Sequence, residues 1–225
     1  MVRQVCFKIF SAVLFFIFLA SISCAGEIRY AKVLEVEGRA DFFNPLTRGW
    51  VPLSEKVFLR KGSLVRTYPQ SSVEIALDWP LENMLKLGEN SELRISDEPP
   101  YSVFLRRGGL FVFREWENHA ATPQDPLDIL TKDASIRVGL GGYGIDSTEK
   151  GTLLKVFGEN AQVKGKSKPV RVEEGFKFYA SAALSQSALQ RMRFRDYGEW
   201  LLWMKKLYGK KDDFTADRAE KELVS

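Results

Sequence analysis

Leu153-Leu154-Lys155-Val156-Phe157-Gly158-Glu159-Asn160-Ala161-Gln162-Val163-Lys164 holds the pattern that decides the fold. Apolar and polar residues alternate on each side of Gly158-Glu159-Asn160, which is the period of two of a half-buried strand. Three residues between two such runs predict an antiparallel β-hairpin, because a parallel return needs a far longer connection.

The same grammar runs outward in both directions. Val73-Glu74-Ile75-Ala76-Leu77 places residues 73, 75 and 77 on one side, and Leu93-Arg94-Ile95 repeats the period. Short apolar or β-branched runs recur at 31–36, 57–59, 63–67, 85–87, 102–105, 110–113, 127–130, 135–138, 170–172 and 176–179. Turn formers separate them, among them Lys61-Gly62, Gly88-Glu89-Asn90, Arg107-Gly108-Gly109 and Glu174-Gly175. Many short strands at this spacing predict an all-β domain, rolled or sandwich-like, over residues 27–180. No stretch between them has a helical period long enough for βαβ crossovers.

Beyond Tyr179 the composition changes. Phe194, Tyr197, Leu201, Met204 and Tyr208 recur at spacings of 3, 4, 3 and 4, with Trp200 and Leu207 beside them. This predicts an amphipathic helix over about 185–208, in a helical and charged tail spanning 184–225. Such a helix either docks on its own β domain or binds a partner.

The N-terminus reads as a targeting segment over residues 1–25. Arg3 and Lys8 precede an apolar run from Ile9 to Ile22, and small residues follow. The run is shorter than the ~20 residues that span a bilayer and has the layout of a secretory signal. Cys24 stands where a bacterial lipoprotein carries its acylated cysteine, while Ser23-x-Ala25 equally fits ordinary cleavage. Cys6 and Cys24 are the only cysteines, so a processed domain has no internal disulfide. Export without disulfides predicts a bacterial periplasmic or extracytoplasmic location. Membrane contact is expected only through the signal segment or a lipid anchor.

The chain has 225 residues, 33 basic and 29 acidic groups, and a formal charge of +4. A balance this close to neutral gives no reason to expect a nucleic-acid partner. One histidine, His119, excludes the common zinc sets. No D-x-D-x-D-G calcium loop is present, and no nucleophile elbow surrounds a serine. Gly139-Leu140-Gly141-Gly142-Tyr143-Gly144 fits G-x-G-x-x-G, but no helix follows to hold a pyrophosphate. It reads as a glycine-rich turn, bulge or binding loop, with Tyr143 in it. No cofactor, metal site or catalytic set is expected. Trp79 and Trp116, in loops at 78–83 and 115–126, complete the candidate contact residues, since recognition concentrates on loops of a rigid scaffold.

Several blocks, taken in order, resemble the FecR domain, an extracytoplasmic module. Val36-Glu37-Gly38-Arg39-Ala40 with Trp50-Val51-Pro52-Leu53 is similar to its opening. Leu59–Thr67 and Ser71–Leu77 follow. Leu85-Lys86-Leu87-Gly88-Glu89-Asn90-Ser91-Glu92-Leu93-Arg94-Ile95 is the fullest match, before Leu105–Val112 and Lys155–Val163. The likeness covers about residues 31–180. The Arg-Gly-Thr element usual in the family has no counterpart near Arg137–Gly144, and Ser63 stands where an aspartate is common. Family regulators also place a cytoplasmic anti-sigma domain before their membrane span, whereas eight residues precede the apolar run here. The resemblance therefore implies the extracytoplasmic module without sigma-factor control: a non-enzymatic unit that binds a protein or glycan of the envelope. A carbohydrate-active enzyme on a β scaffold and a structural subunit oligomerising through its helix are the rival expectations.

Overall fold

A computed structural model describes residues 31–44, 47–60, 62–77, 83–96, 102–115, 126–165, 168–181 and 188–210. Seventeen strands run through them. The first nine are β1 (Ala31–Glu37), β2 (Ala40–Asn44), β3 (Gly49–Pro52), β4 (Phe58–Leu59), β5 (Leu64–Thr67), β6 (Ser72–Ala76), β7 (Asn83–Leu87), β8 (Glu92–Ile95) and β9 (Ser102–Arg114). The rest are β10 (Leu127–Leu130), β11 (Ser135–Val138), β12 (Gly141–Thr148), β13 (Gly151–Val156), β14 (Asn160–Lys164), β15 (Val170–Glu173), β16 (Phe176–Ala180) and β17 (Ala188–Arg191). A 3-10 turn, Phe194–Tyr197, leads into helix α1, residues 198–210. The all-β class with a C-terminal helix is what the alternation predicts.

The strands form two stacked layers. Layer 1 runs β4-β1-β6-β7-β9-β12-β13-β16-β17, and layer 2 runs β3-β2-β5-β8-β9-β10-β11-β14-β15. At ~4.8 Å per strand each layer is about 40 Å long. β9 belongs to both. Its first part pairs with β8 and, in parallel, with β10, and its second part pairs with β7 and β12. The change of layer falls at a register shift opposite Glu92/Leu93 and at Gly108, φ +88°. A Cβ there would lie 2.1 Å from Ser91 Oγ, so only glycine lets the strand turn at that point. The expected turn at 107–109 is instead the bend of one long strand.

Alternate residues fill the space between the layers. Val73, Ile75, Leu85, Leu87, Leu110, Val112, Ile145, Leu154 and Val156 from layer 1 meet Val65, Leu93, Val103, Leu105, Ile129, Ile136 and Val163 from layer 2 in one core. Fully burying each such side chain contributes about 1.5–3 kcal/mol.

The pattern of connections corrects the opening expectation. β13 and β14 do not form a hairpin: β13 pairs with β12 and β16, and β14 with β11 and β15. Gly158-Glu159-Asn160 carries the chain from one layer to the other, with Glu159 at φ +64°. A link of three residues closes equally well across stacked layers, and alternation alone does not distinguish the two. The links holding Gln70 and Asn90 are built alike, each at positive φ. Buried hydroxyls fasten them. The Ser91 amide donates to Thr67 Oγ1 (2.9 Å), the Gly109 amide to Ser91 Oγ (2.9 Å), and the Arg39 amide to Ser71 Oγ (2.9 Å). The Asn90-Ser91 pair of the FecR-like block thus supplies a left-handed corner and its internal hydrogen bonds.

The glycine-rich run at 139–144 is no loop. From Gly141 it is the central strand β12, between β9 and β13. Its glycines clear the outer face of layer 1. A Cβ on Gly142 would lie 2.3 Å from Trp200 Cζ2, and one on Gly144 would lie 3.0 Å from Phe157 and 3.1 Å from Phe111. Tyr143 between them points inward. Gly142→Ala should therefore push Trp200 off the sheet and destabilise the fold by about 1–3 kcal/mol. Chemical denaturation and the near-ultraviolet circular dichroism of the tryptophans check this. An unchanged midpoint and spectrum would contradict the packing.

Candidate functional site

The two outer faces differ in chemistry. On layer 1, α1 lies across the strands. Trp200, Trp203, Met204 and Leu207 pack with Ala76, Met84, Phe113, Phe157 and Met192 in a second apolar cluster. Trp200 stacks on Phe157 (4.7 Å, 7°) and Trp203 on Phe111 (5.9 Å, 28°). The 17 residues from Phe194 to Lys210 reach about 25 Å, close to the ~29 Å from β16 to β1.

Ion pairs fix both ends of the helix. At its start, Asp196 accepts from the Arg193 amide (2.7 Å) and from Lys177 Nζ (3.1 Å). Its carboxyl is lowered first by the Arg193 amide, against burial, and then by Lys177. At its end, Lys206 donates to Glu35 (2.7 Å) and Glu37 (2.6 Å), and Lys210 to Glu35 and to Glu74 (2.6 Å). Glu74 is 2% exposed. The hydrogen bond from Lys206, with help from Ser72, holds Glu37 at about 2. Burial pushes Glu35 up, and Lys206 and Lys210 outweigh it to leave that carboxyl lowered.

The helix phase differs from the expected stripe. Met204 is buried and Tyr197 half-buried, but Phe194 is 89% exposed, and Leu201 and Tyr208 are also exposed. Two causes act together. Phe194–Tyr197 is a 3-10 turn with three residues per turn, so its phase does not continue into α1. The gap over Gly142 and the carboxylates beneath Lys206 and Lys210 then select the Trp200 side. The helix also starts later than expected, because 188–191 is strand β17, paired with β16.

Tyr143 is not a contact residue. It is 0% exposed, and its hydroxyl donates to Leu140 O (2.5 Å), with Asn160 O 3.0 Å away. Burial raises its hydroxyl to about 12. Above it lies a shallow depression of about 410 Å³ lined by Pro126, Arg137, Leu140 and Glu159, among others. Asp128 holds Arg137 there by two hydrogen bonds (2.8 and 2.9 Å). Trp79, Trp116, His119 and Cys24 lie outside the described residues, as do the signal segment and residues 211–225. Among the described residues, no three His, Cys, Asp or Glu side chains converge as a metal site would need.

The outer face of layer 2 carries a cluster that sequence reasoning missed. Arg66 lies over the Trp50 ring (3.8 Å) and donates to Asp41 Oδ2 from Nη2 (2.7 Å) and Nε (3.2 Å). The Tyr68 hydroxyl donates to the same oxygen (2.7 Å), and Arg39 sits over the Tyr68 ring (4.4 Å). Burial raises the Asp41 carboxyl, and Arg66 and Tyr68 overcome this and lower it. The partners are 25 and 27 residues from Asp41. The one local signal is an aspartate, Asp41, within the aromatic run Ala40–Asn44, whose alternation the adjacent Phe42 and Phe43 hide.

Beside this cluster the strand registers align a row of outward side chains. Trp50 pairs with Phe43, Phe43 with Leu64, Leu64 with Arg94, Arg94 with Phe104, and Phe104 with Leu130. Trp50 and Leu130 are each 37% exposed. Among the described residues, no helix covers this row.

The chain matches no family model, and no curated protein resembles it in sequence. Its fold is similar to a crystal structure of a protein from Parabacteroides distasonis ATCC 8503 provisionally assigned as an anti-sigma factor. That likeness has a TM-score of 0.50 at 11% identity and covers 61% of this chain and 64% of the other. A second crystal structure from that organism, assigned likewise, aligns at 13% identity and a TM-score of 0.45, over 54% of this chain and 57% of the other. The matched region spans less than two thirds of either neighbour. The likeness to the first is one of fold.

Two predictions follow the helix clamp. The Glu37 carboxylate is stabilised in the folded state relative to its usual value of 4.5. Its contribution is complete above pH ~4.5 and disappears as pH falls toward ~2. Tryptophan fluorescence should report loosening of α1 across that window, and Lys206→Met should blunt the Glu37 contribution. Lys210→Met should cost about 1–3 kcal/mol, since it removes the hydrogen bond to the buried Glu74 carboxylate. Urea melts of the two lysine variants against wild type measure this.

Proposed function

We propose that this chain is an extracytoplasmic FecR-like binding module of the bacterial envelope, which holds a protein or glycan partner and performs no catalysis. Three observations support the reading. The ordered β blocks resemble the FecR domain over residues 31–180. The fold is similar to that of a protein assigned as an anti-sigma factor, a role that regulators of the FecR family carry on a separate cytoplasmic domain. The observation that carries most weight is the outer face of layer 2. There Asp41 fixes Arg66 against Trp50, and Tyr68 and Arg39 extend the cluster. Aromatic and arginine side chains held rigid on a strand scaffold are the groups that dominate recognition interfaces.

The test is affinity capture from crosslinked envelope extract with the processed protein, beside a Trp50→Ala plus Arg66→Ala variant that retains its melting transition. Specific retention by wild type, reduced at least about tenfold in the variant, is the expected result. Equal retention by both would remove this face from the reading, and no specific retention by either would end the module reading. Intact mass of the mature N-terminus establishes cleavage and the state of Cys24.

A second reading rests on the exposed side of α1. Phe194, Leu201 and Leu202 are 89%, 53% and 72% exposed, as a helix that joins subunits would require. Under that reading Leu201→Asp plus Leu202→Asp converts an oligomer to monomer in size-exclusion chromatography. An unchanged elution volume rejects it.

A further inference from the structure

The molecule itself displays how one of its outer faces is covered. Across layer 1, a helix of about 25 Å puts large apolar groups on the sheet. It sets Lys206 and Lys210 on the carboxylates of Glu35, Glu37 and Glu74 at the rim. Layer 2 carries a comparable row with the opposite rim. Trp50, Phe43, Leu64, Phe104 and Leu130 run over strands β3 to β10, with Arg94 in line between Leu64 and Phe104. Six strands span about 24 Å, the length of a helix of about 16 residues. Arg39, Arg66, Arg94, Arg106, Arg107 and Arg137 stand along or beside the row, against the three carboxylates of Asp41, Glu92 and Asp128. Trp50 and Leu130 at its ends are exposed, and Phe43, Leu64 and Phe104 between them are half-buried. Such a row outside the core is a candidate contact surface, and an amphipathic helix laid along one is a recurrent mode of recognition.

We infer that the outer face of layer 2 receives an amphipathic helix of a partner protein whose apolar stripe is flanked by aspartate or glutamate. The inference rests on the binding-module reading and names the partner's chemistry. Charge decides among occupants. The side of α1 that a second copy would present carries Lys205 beside Leu201 and Leu202, since Lys206 and Lys210 are held by Glu35, Glu37 and Glu74, and it offers the arginines no run of carboxylates. An acidic flank instead makes charge-assisted hydrogen bonds to guanidinium groups already oriented by Asp41 and Glu92.

The experiment places a benzoylphenylalanine photocrosslinker at Leu130 of the full chain in its own envelope, with a second probe at Ser135, the next position in the row. A control probe sits at Leu202 on α1. Mass spectrometry then maps the joined peptide. The expected product joins either layer 2 probe to an acid-flanked amphipathic segment of another polypeptide, and its yield falls at least about tenfold with Arg94→Glu plus Arg106→Glu. A product with a second copy, with residues 211–225 of the same chain, or with glycan overturns the inference. So does a yield indifferent to the charge reversal, or no product from either layer 2 probe. A partner caught through Leu202 while both layer 2 probes stay silent would sink this inference and leave the module reading standing. Silence from all three probes, with no partner in the capture experiment, would sink both.

Discussion

Contact between the Trp200 indole and the bare backbone of Gly142 governs how this chain is arranged. A helix can lie flat on a sheet only where the sheet leaves room for its largest side chains. Here the room comes from glycines at two outward positions of one central strand. The indole reaches the level of Phe157 and stacks on it, and Trp203 follows onto Phe111. These contacts set the helix phase, which in turn brings Lys206 and Lys210 over Glu35, Glu37 and Glu74. The ion pairs then add orientation to an interaction founded on apolar burial. Exposed pairs of this kind contribute little alone, and the burial of Glu74 gives this set its weight.

The helix bridges parts of the sheet that are far apart in sequence. Asp196 is tied to β16, while Lys206 and Lys210 are tied to β1 and β6. Between those ends it covers β7, β9, β12 and the end of β13. Among the described residues the strand pairing of the two halves of layer 1 passes through β9, and the helix is a second connection across the same seam. This explains why the apolar face of the tail is turned toward its own domain.

Legibility in the sequence followed the number of faces a strand buries. β10 and β11 alternate cleanly, and their bounds are readable to the residue. β12 is not, because its outward positions are glycines, and glycine within an apolar run signals a turn unless one knows what sits above it. β2 and β3 do not stand out in the sequence, because aromatic residues occupy their outward face and hide the period of two. The link at 158–160 reads as a tight reversal, but alternation does not say whether a reversal stays within a layer or changes layer. The Asp41, Arg66 and Tyr68 cluster joins side chains 25 and 27 residues apart, a distance no local pattern encodes. The helix stripe was offset because a 3-10 turn at 194–197 breaks the 3.6-residue count.

The sharing of β9 between both layers has a consequence for how such a molecule can vary. Among the described residues neither layer closes on itself: layer 1 ends at β4 and β17, and layer 2 at β3 and β15. Overall extent is therefore not dictated by a fixed circumference, as it is in a barrel. Units could be gained or lost at either terminus of the stack while the interior cross-section stayed constant. A chain built this way could differ widely in span and keep the same internal packing.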